Sequence, residues 1–153
     1  METVLLIDGE NLKGKIKDVF KEAKKEKIIW HEYDFKGLFI KVLDRIQINR
    51  KVFYFARLKE HESSKEKGVD VKIAVDMVSL SCDKKVKEII LCSSDSDLQP
   101  AIEEVKRREV SCAYVGFEVN PNKGLSYTTK RTILIRNSEV FDFEKVQKTL
   151  MES

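Results

Sequence analysis

Two stretches of the chain place carboxylates where an apolar strand hands over to a helix. In Glu88–Val105, the run Ile89-Ile90-Leu91-Cys92 ends in Ser93-Ser94-Asp95-Ser96-Asp97, and Leu98, Ala101, Ile102 and Val105 then recur on one helical face. The N-terminus repeats the plan: Val4-Leu5-Leu6-Ile7 stops at Asp8-Gly9-Glu10-Asn11, and Leu12, Ile16, Val19, Phe20 and Ala23 follow at helical spacing. In α/β sheets the carboxyl ends of the strands border the ligand crevice, so Asp8, Asp95 and Asp97 are aimed at a cation. Asp70 joins them from the first turn of a helical pattern over Val69–Cys82, on the same inward stripe as Ile73, Ala74, Met77, Val78 and Leu80. Carboxylates about 4 Å apart repel by a few kcal/mol at an effective dielectric near ~20, and either protonation or a bound cation must relieve them. Mg²⁺ or Mn²⁺ takes oxygen ligands and keeps waters that a phosphate replaces, which points to in-line displacement at phosphorus. No His or Cys stands where a zinc hydrolase needs one.

Bringing these residues together requires a sheet whose strands all end at one edge. A second amphipathic pattern runs from Phe35 to Ile46 with Asp34 placed to cap it, and Lys51–Leu58 reads as a strand. Lys59–Gly68 has no apolar residue and reads as a solvated loop; Val110–Gly116 is another buried strand, and Asn120–Gly124 a turn. Past Thr128, Thr132–Ile135 favours a strand, with a short helix leading to a strand at Glu139–Phe143 as the alternative; Glu144–Met151 reads as a closing helix. Alternating strands and helices predict a three-layer αβα sandwich with a mainly parallel central sheet, and right-handed crossovers place every strand's carboxyl end on one edge. Asn11 and Asp97 are each placed to cap the helix that follows. Asp76, beside Ile73 and Leu80, fits a structural ion pair as readily as a supporting role in the site.

At 153 residues, 42% of them hydrophobic, the chain suits one ordered domain over 1–153. Its 29 Lys and Arg against 26 Asp and Glu leave a net charge of +3, too small to announce a nucleic-acid binder by itself. Distribution says more. Lys13, Lys15, Lys65, Lys67, Lys72, Lys123, Lys130 and Arg131 fall on loops or helix starts expected beside the acidic edge, where a basic rim would attract a polyanion. The lysines of the first helix form either a solvated face or a phosphate-contact surface. Tyr127 or Phe117 could stack on a base, although Phe117 suits core packing better. Cys82, Cys92 and Cys112 are odd in number and each lies in an apolar context, which predicts buried, reduced thiols. With no run of membrane-spanning length and no signal-type h-region, a cytoplasmic location is expected.

Three pieces carry a family resemblance: Ile7-Asp8-Gly9-Glu10-Asn11-Leu12, the stretch Lys67–Met77 (KGVDVKIAVDM), and Ser93–Ile102 (SSDSDLQPAI). In their order and spacing the chain resembles the NYN domains, specifically the LabA-like group of the PIN-like nuclease superfamily, and Glu139–Phe143 looks like that group's short terminal strand. The resemblance implies a PIN-like fold and a metal-dependent endoribonuclease. It makes Asp8, Asp70, Asp95 and Asp97 the acidic metal-site residues, Asn11 the amide that orients a ligand or backbone, and Ser94 a partner for a phosphate or a metal-bound water. Single-stranded RNA is the expected substrate, because a splayed backbone enters a narrow cleft more easily than a duplex. A catalytically silent module holding RNA or a protein, and a metal-dependent phosphatase for small esters, stand as alternatives; a homodimer stays open.

Overall fold

In a computed structural model that describes residues 1–25, 27–55 and 68–144, strands and helices alternate: β1 (Glu2–Asp8), α1 (Gly9–Glu22), α2 (Phe35–Val42), β2 (Arg50–Tyr54), α3 (Val69–Ser81), β3 (Val86–Cys92), α4 (Gln99–Arg107), β4 (Ser111–Phe117), α5 (Lys123–Thr128), β5 (Arg131–Ile135) and α6 (Asn137–Asp142). Single 3-10 turns lie at Trp30–Glu32 and Ser96–Leu98. The continuous apolar runs form β1, β3 and β4, which are buried almost throughout, as strands covered on both faces must be. They occupy the interior of a five-stranded, all-parallel sheet of order β2-β1-β3-β4-β5. The five-residue strands β2 and β5 are the more exposed edges.

Successive strand residues point to opposite faces, so each strand feeds two cores. Leu5, Ile7, Ile90 and Val115 pack with Leu12 and Ile16 of α1, Leu38 and Phe39 of α2 and Val140 of α6. On the other face Val4, Leu6, Ile89, Leu91 and Tyr114 pack with Ile73 and Met77 of α3, Ile102 of α4 and Leu125 of α5. The result is the expected α/β fold with helices on both faces. β1 is flanked by β2 on one side and β3 on the other, so the strand order reverses there. In open α/β sheets the ligand crevice lies outside the carboxyl ends at that reversal, here the ends of β1 and β3.

Four sequence expectations change. Glu139–Phe143 is not a strand: these residues fall on and just after α6, where Val140 alone is fully buried and Arg136 N donates to Glu139 Oε1 at 2.9 Å. Helical spacing, with one core contact per turn, overrides β propensity there, and Thr132–Ile135 forms the strand instead. α2 ends at Val42 rather than Ile46, with Asp34 Oδ1 accepting from Gly37 N at 2.9 Å as its cap. Cys82 is exposed, because it follows the last turn of α3, whereas Cys92 and Cys112 are buried. β2 ends at Tyr54; Lys65 and Lys67, the loop expected over Lys59–Gly68 except for Gly68, and the closing helix beyond Glu144 lie outside the described residues.

Candidate metal centre

β1 runs into α1 with no intervening loop, and Asp8 joins them. Its Oδ1 accepts from Asn11 N at 3.2 Å, capping α1, and its Oδ2 accepts from Ser93 Oγ at 3.3 Å. Gly9 permits the abrupt start, since a Cβ there would sit 2.8 Å from Tyr54 O. The cap is therefore Asp8, not Asn11, because the helix begins three residues earlier than the apolar pattern suggests. Asn11 lies in the first turn, and its Oδ1 accepts from Ser94 N at 3.0 Å, fastening the loop after β3 to α1.

That loop is tied down from all sides. Ser93 is buried; besides donating to Asp8, its Oγ accepts from Asp95 N at 3.3 Å, so one hydroxyl links the Asp8 carboxylate to the Asp95 backbone. Asp95 Oδ1 accepts from Asp97 N at 2.9 Å and starts the 3-10 turn that leads into α4. The capping role foreseen for Asp97 thus belongs to Asp95. Ser94 Oγ lies 2.9 Å from the hydroxyl of buried Tyr114, which accepts from Asn122 N at 3.2 Å. Asn122 caps α5 through Leu125 N, and its Nδ2 donates to Ser94 O at 2.9 Å and Ser96 Oγ at 3.2 Å. Sequence reasoning missed Ser93, Tyr114 and Asn122. The available signals were a phenol inside an apolar run and an Asn just ahead of a short helical stretch.

Asp70 enters from the first turn of α3, which follows Gly68 in the left-handed region at φ 93°. Asp70, Asp95 and Asp97 each offer one carboxylate oxygen, and these oxygens lie within 4.8 Å of one another; the first two residues are half-buried and Asp97 is exposed. Asp8 is outside this trio but shares a cavity of about 500 Å³ with Asp70 and Asp95, to which α1 contributes Glu10, Lys15 and Asp18. Glu10 and Asp18 were not foreseen, although with Gly14 they recur at i, i+4 and i+8. Lys15 Nζ donates to Asn120 O at 2.8 Å. Three hard oxygens with no imidazole or thiolate among them suit Mg²⁺ or Mn²⁺. The like charges of Asp70, Asp95 and Asp97 repel one another, which a divalent ion would reverse. Cys92 is not a competing ligand: burial, and then the charge of Asp8, push its thiol well above the ordinary range.

The remaining candidates separate. Asp76 is a structural tie: its Oδ2 accepts from Tyr54 OH at 2.7 Å and its Oδ1 pairs with Lys72 Nζ at 3.2 Å, which also engages Lys72. Lys123 follows Asn122 at the carboxyl edge. Lys130 and Arg131 do not adjoin the acidic site. They open β5 at the amino edge of a parallel sheet, where Lys130 N donates to Cys112 O and Arg131 pairs with Glu88 at 3.0 Å. Phe117 is buried in the core, and Tyr127 is 94% exposed.

A parallel sheet with three carboxylates gathered at its order reversal makes this an α/β protein with a candidate divalent-cation site. The chain belongs to the NYN domain family, whose model matches residues 2–136. A crystal structure of a protein of unknown function from Vibrio parahaemolyticus has a similar fold, with a TM-score of 0.51 and 15% identity over 88% of this chain and 93% of that one. No curated protein matches the chain. Among the described residues no helix is long and apolar enough to cross a membrane.

Proposed function

We propose that this NYN domain is a metal-dependent endoribonuclease of the PIN-like, LabA-like type, acting as a single cytoplasmic domain on single-stranded RNA. The observation that carries this reading is the trio of carboxylate oxygens within 4.8 Å at the reversal of the strand order. Asp70, Asp95 and Asp97 would hold Mg²⁺ or Mn²⁺, which when bound supplies an activated water and charge stabilisation for the leaving oxygen. Asp8 stands in the wall of the cavity, where it fixes α1 and the Ser93 hydroxyl behind Asp95. Asn11 and Asn122 hold the Ser94 backbone from either side, so Asp95 and Asp97 are aimed before any ligand arrives. Lys15 at the cavity wall offsets the charge of an incoming phosphodiester. A splayed single strand would enter a narrow acidic cleft more readily than a duplex.

Purified protein should cut labelled single-stranded RNA with Mn²⁺, stop when a chelator is added, and stop in Asp95→Asn. Cleavage at the wild-type rate in Asp95→Asn sinks the reading. Stabilisation by Mn²⁺ without cleavage would instead make the domain a binding module, and turnover of small phosphate esters alone would make it a phosphatase.

A further inference from the structure

Along α1, Lys13, Lys17 and Lys21 recur at i, i+4 and i+8, with Lys13 and Lys17 beside the half-exposed Phe55 and the partly buried Trp30. We propose that this flank is a track for single-stranded nucleic acid, with bases on Phe55 and Trp30 and phosphates on the three lysines. The assignment rests on the nuclease reading only for where the track leads.

Two of these lysines lie over rings. Lys13 Nζ lies 5.7 Å from the Trp30 ring centroid and 5.4 Å from that of Phe55, and Lys17 Nζ lies 6.0 Å from Trp30. The rings are arranged as platforms. Trp30 is backed by Phe35 at 5.9 Å with 12° between planes, and Phe55 by Phe53 at 5.9 Å with 3°. Phe53 is 39% and Phe55 50% exposed, so the parallel pair is left partly in water. Next to Trp30 a cavity of about 450 Å³ has Phe20 and Ile28 in its lining and Lys17, Lys21 and Lys25 around it. Flat apolar platforms inside a rim of ammonium groups match a strand whose bases stack and whose phosphates pair with cations, without sequence readout. The ammonium groups now over the rings would move to phosphates as bases take their place. The track is also directed: Phe55 packs against Gly9, the residue after Asp8, so a strand lying on it reaches the acidic cavity.

Trp30 is the chain's single tryptophan and reports on the track directly. The test titrates the intact protein with oligouridylate of about twelve nucleotides, in chelator and about 0.1 M salt, reading Trp30 fluorescence together with the anisotropy of labelled RNA. Saturable quenching should accompany binding. Lys17→Gln with Lys21→Gln should weaken binding roughly 25-fold, about fivefold per lysine, and lower the log–log salt slope by about 1.4, from ~0.7 counterion released per single-strand phosphate. Unchanged binding by the double lysine variant, RNA binding without a change at Trp30, or equal quenching by polyglutamate, which would indicate an acidic protein partner, overturns the track. If Asp95→Asn abolishes cleavage while the lysine variant binds normally, the track falls and the nuclease stands. Quenching by RNA in a wild type that cuts nothing with Mn²⁺ has the opposite meaning.

Discussion

At the end of β1, Asp8 is only 7% exposed and both its oxygens accept hydrogen bonds, one from Asn11 N and one from Ser93 Oγ. At the end of β3, Asp95 caps a 3-10 turn through one oxygen while half-exposed beside Asp70 and Asp97. The residue type and the strand-to-helix setting are the same; the spacing differs. α1 begins at Gly9, immediately after Asp8, which draws that carboxylate into the helix start and under the β3 loop. Ser93 and Ser94 separate β3 from Asp95, and that offset lifts the carboxylate to the cavity surface. A capping carboxylate can also ligate only where the chain grants it this separation.

Substitutions at the two junctions should therefore fail differently. Asp95→Asn keeps an acceptor for Asp97 N but removes the charge, so RNA hydrolysis should fall by about 10²–10³-fold with the fold intact, measured by single-turnover cleavage and circular dichroism. Mn²⁺ at a hundred times its dissociation constant should stabilise the wild type by about 2.7 kcal/mol, raising the melting temperature by roughly 5–10 °C. Asp70→Asn should erase that shift and Asp8→Asn should retain most of it; loss of the shift in both makes Asp8 a direct ligand and breaks the contrast. Asp8→Ala should lower the unfolding free energy by about 2 kcal/mol, from a lost cap and a weakened Ser93 bridge, visible as a lower urea midpoint at unchanged slope.

The smallest effect concerns a third strand end, that of β2, where a hydrogen bond holds the edge strand to α3. Tyr54→Phe should cost about 1 kcal/mol. Burial, then the bond to Asp76, raise the Tyr54 phenol above its ordinary value of 10, so the fold disfavours the phenolate. A raised value means that the stabilisation is complete below pH 10 and fades as pH climbs beyond it. Denaturation midpoints from pH 9 upward should fall less steeply in Tyr54→Phe than in the wild type, and equal slopes would remove Tyr54 as the cause.

The interior strands were legible because a segment covered on both faces must be apolar throughout, as Val4–Ile7 and Ile89–Cys92 are. The edge strand β2 was legible by its β-formers, but its end was not, since exposure weakens the constraint on composition. Val140, Phe141 and Phe143 misled for a related reason: over five residues, propensity for strand and the spacing of a single helical turn are hard to separate. In the site, the carboxylates stood out by their position after apolar runs. The residues that aim them did not, because the bonds from Ser94 to Asn11 and from Asn122 to Ser94 span 83 and 28 positions. A pairing of that separation leaves no periodic trace. Arg131 shows the converse error: nearness to a turn in sequence says nothing about which edge of the sheet the turn occupies.

The bond from Lys15 Nζ to Asn120 O has a dynamic consequence. It is an exposed link from a flexible side chain to a carbonyl in a turn where Asn120 holds φ at 47°. Such a bond contributes about 1 kcal/mol, so thermal motion breaks it in roughly one molecule in six at any moment. A bond that opens this often leaves the Lys15 ammonium available to an anion entering the cavity that Lys15 lines.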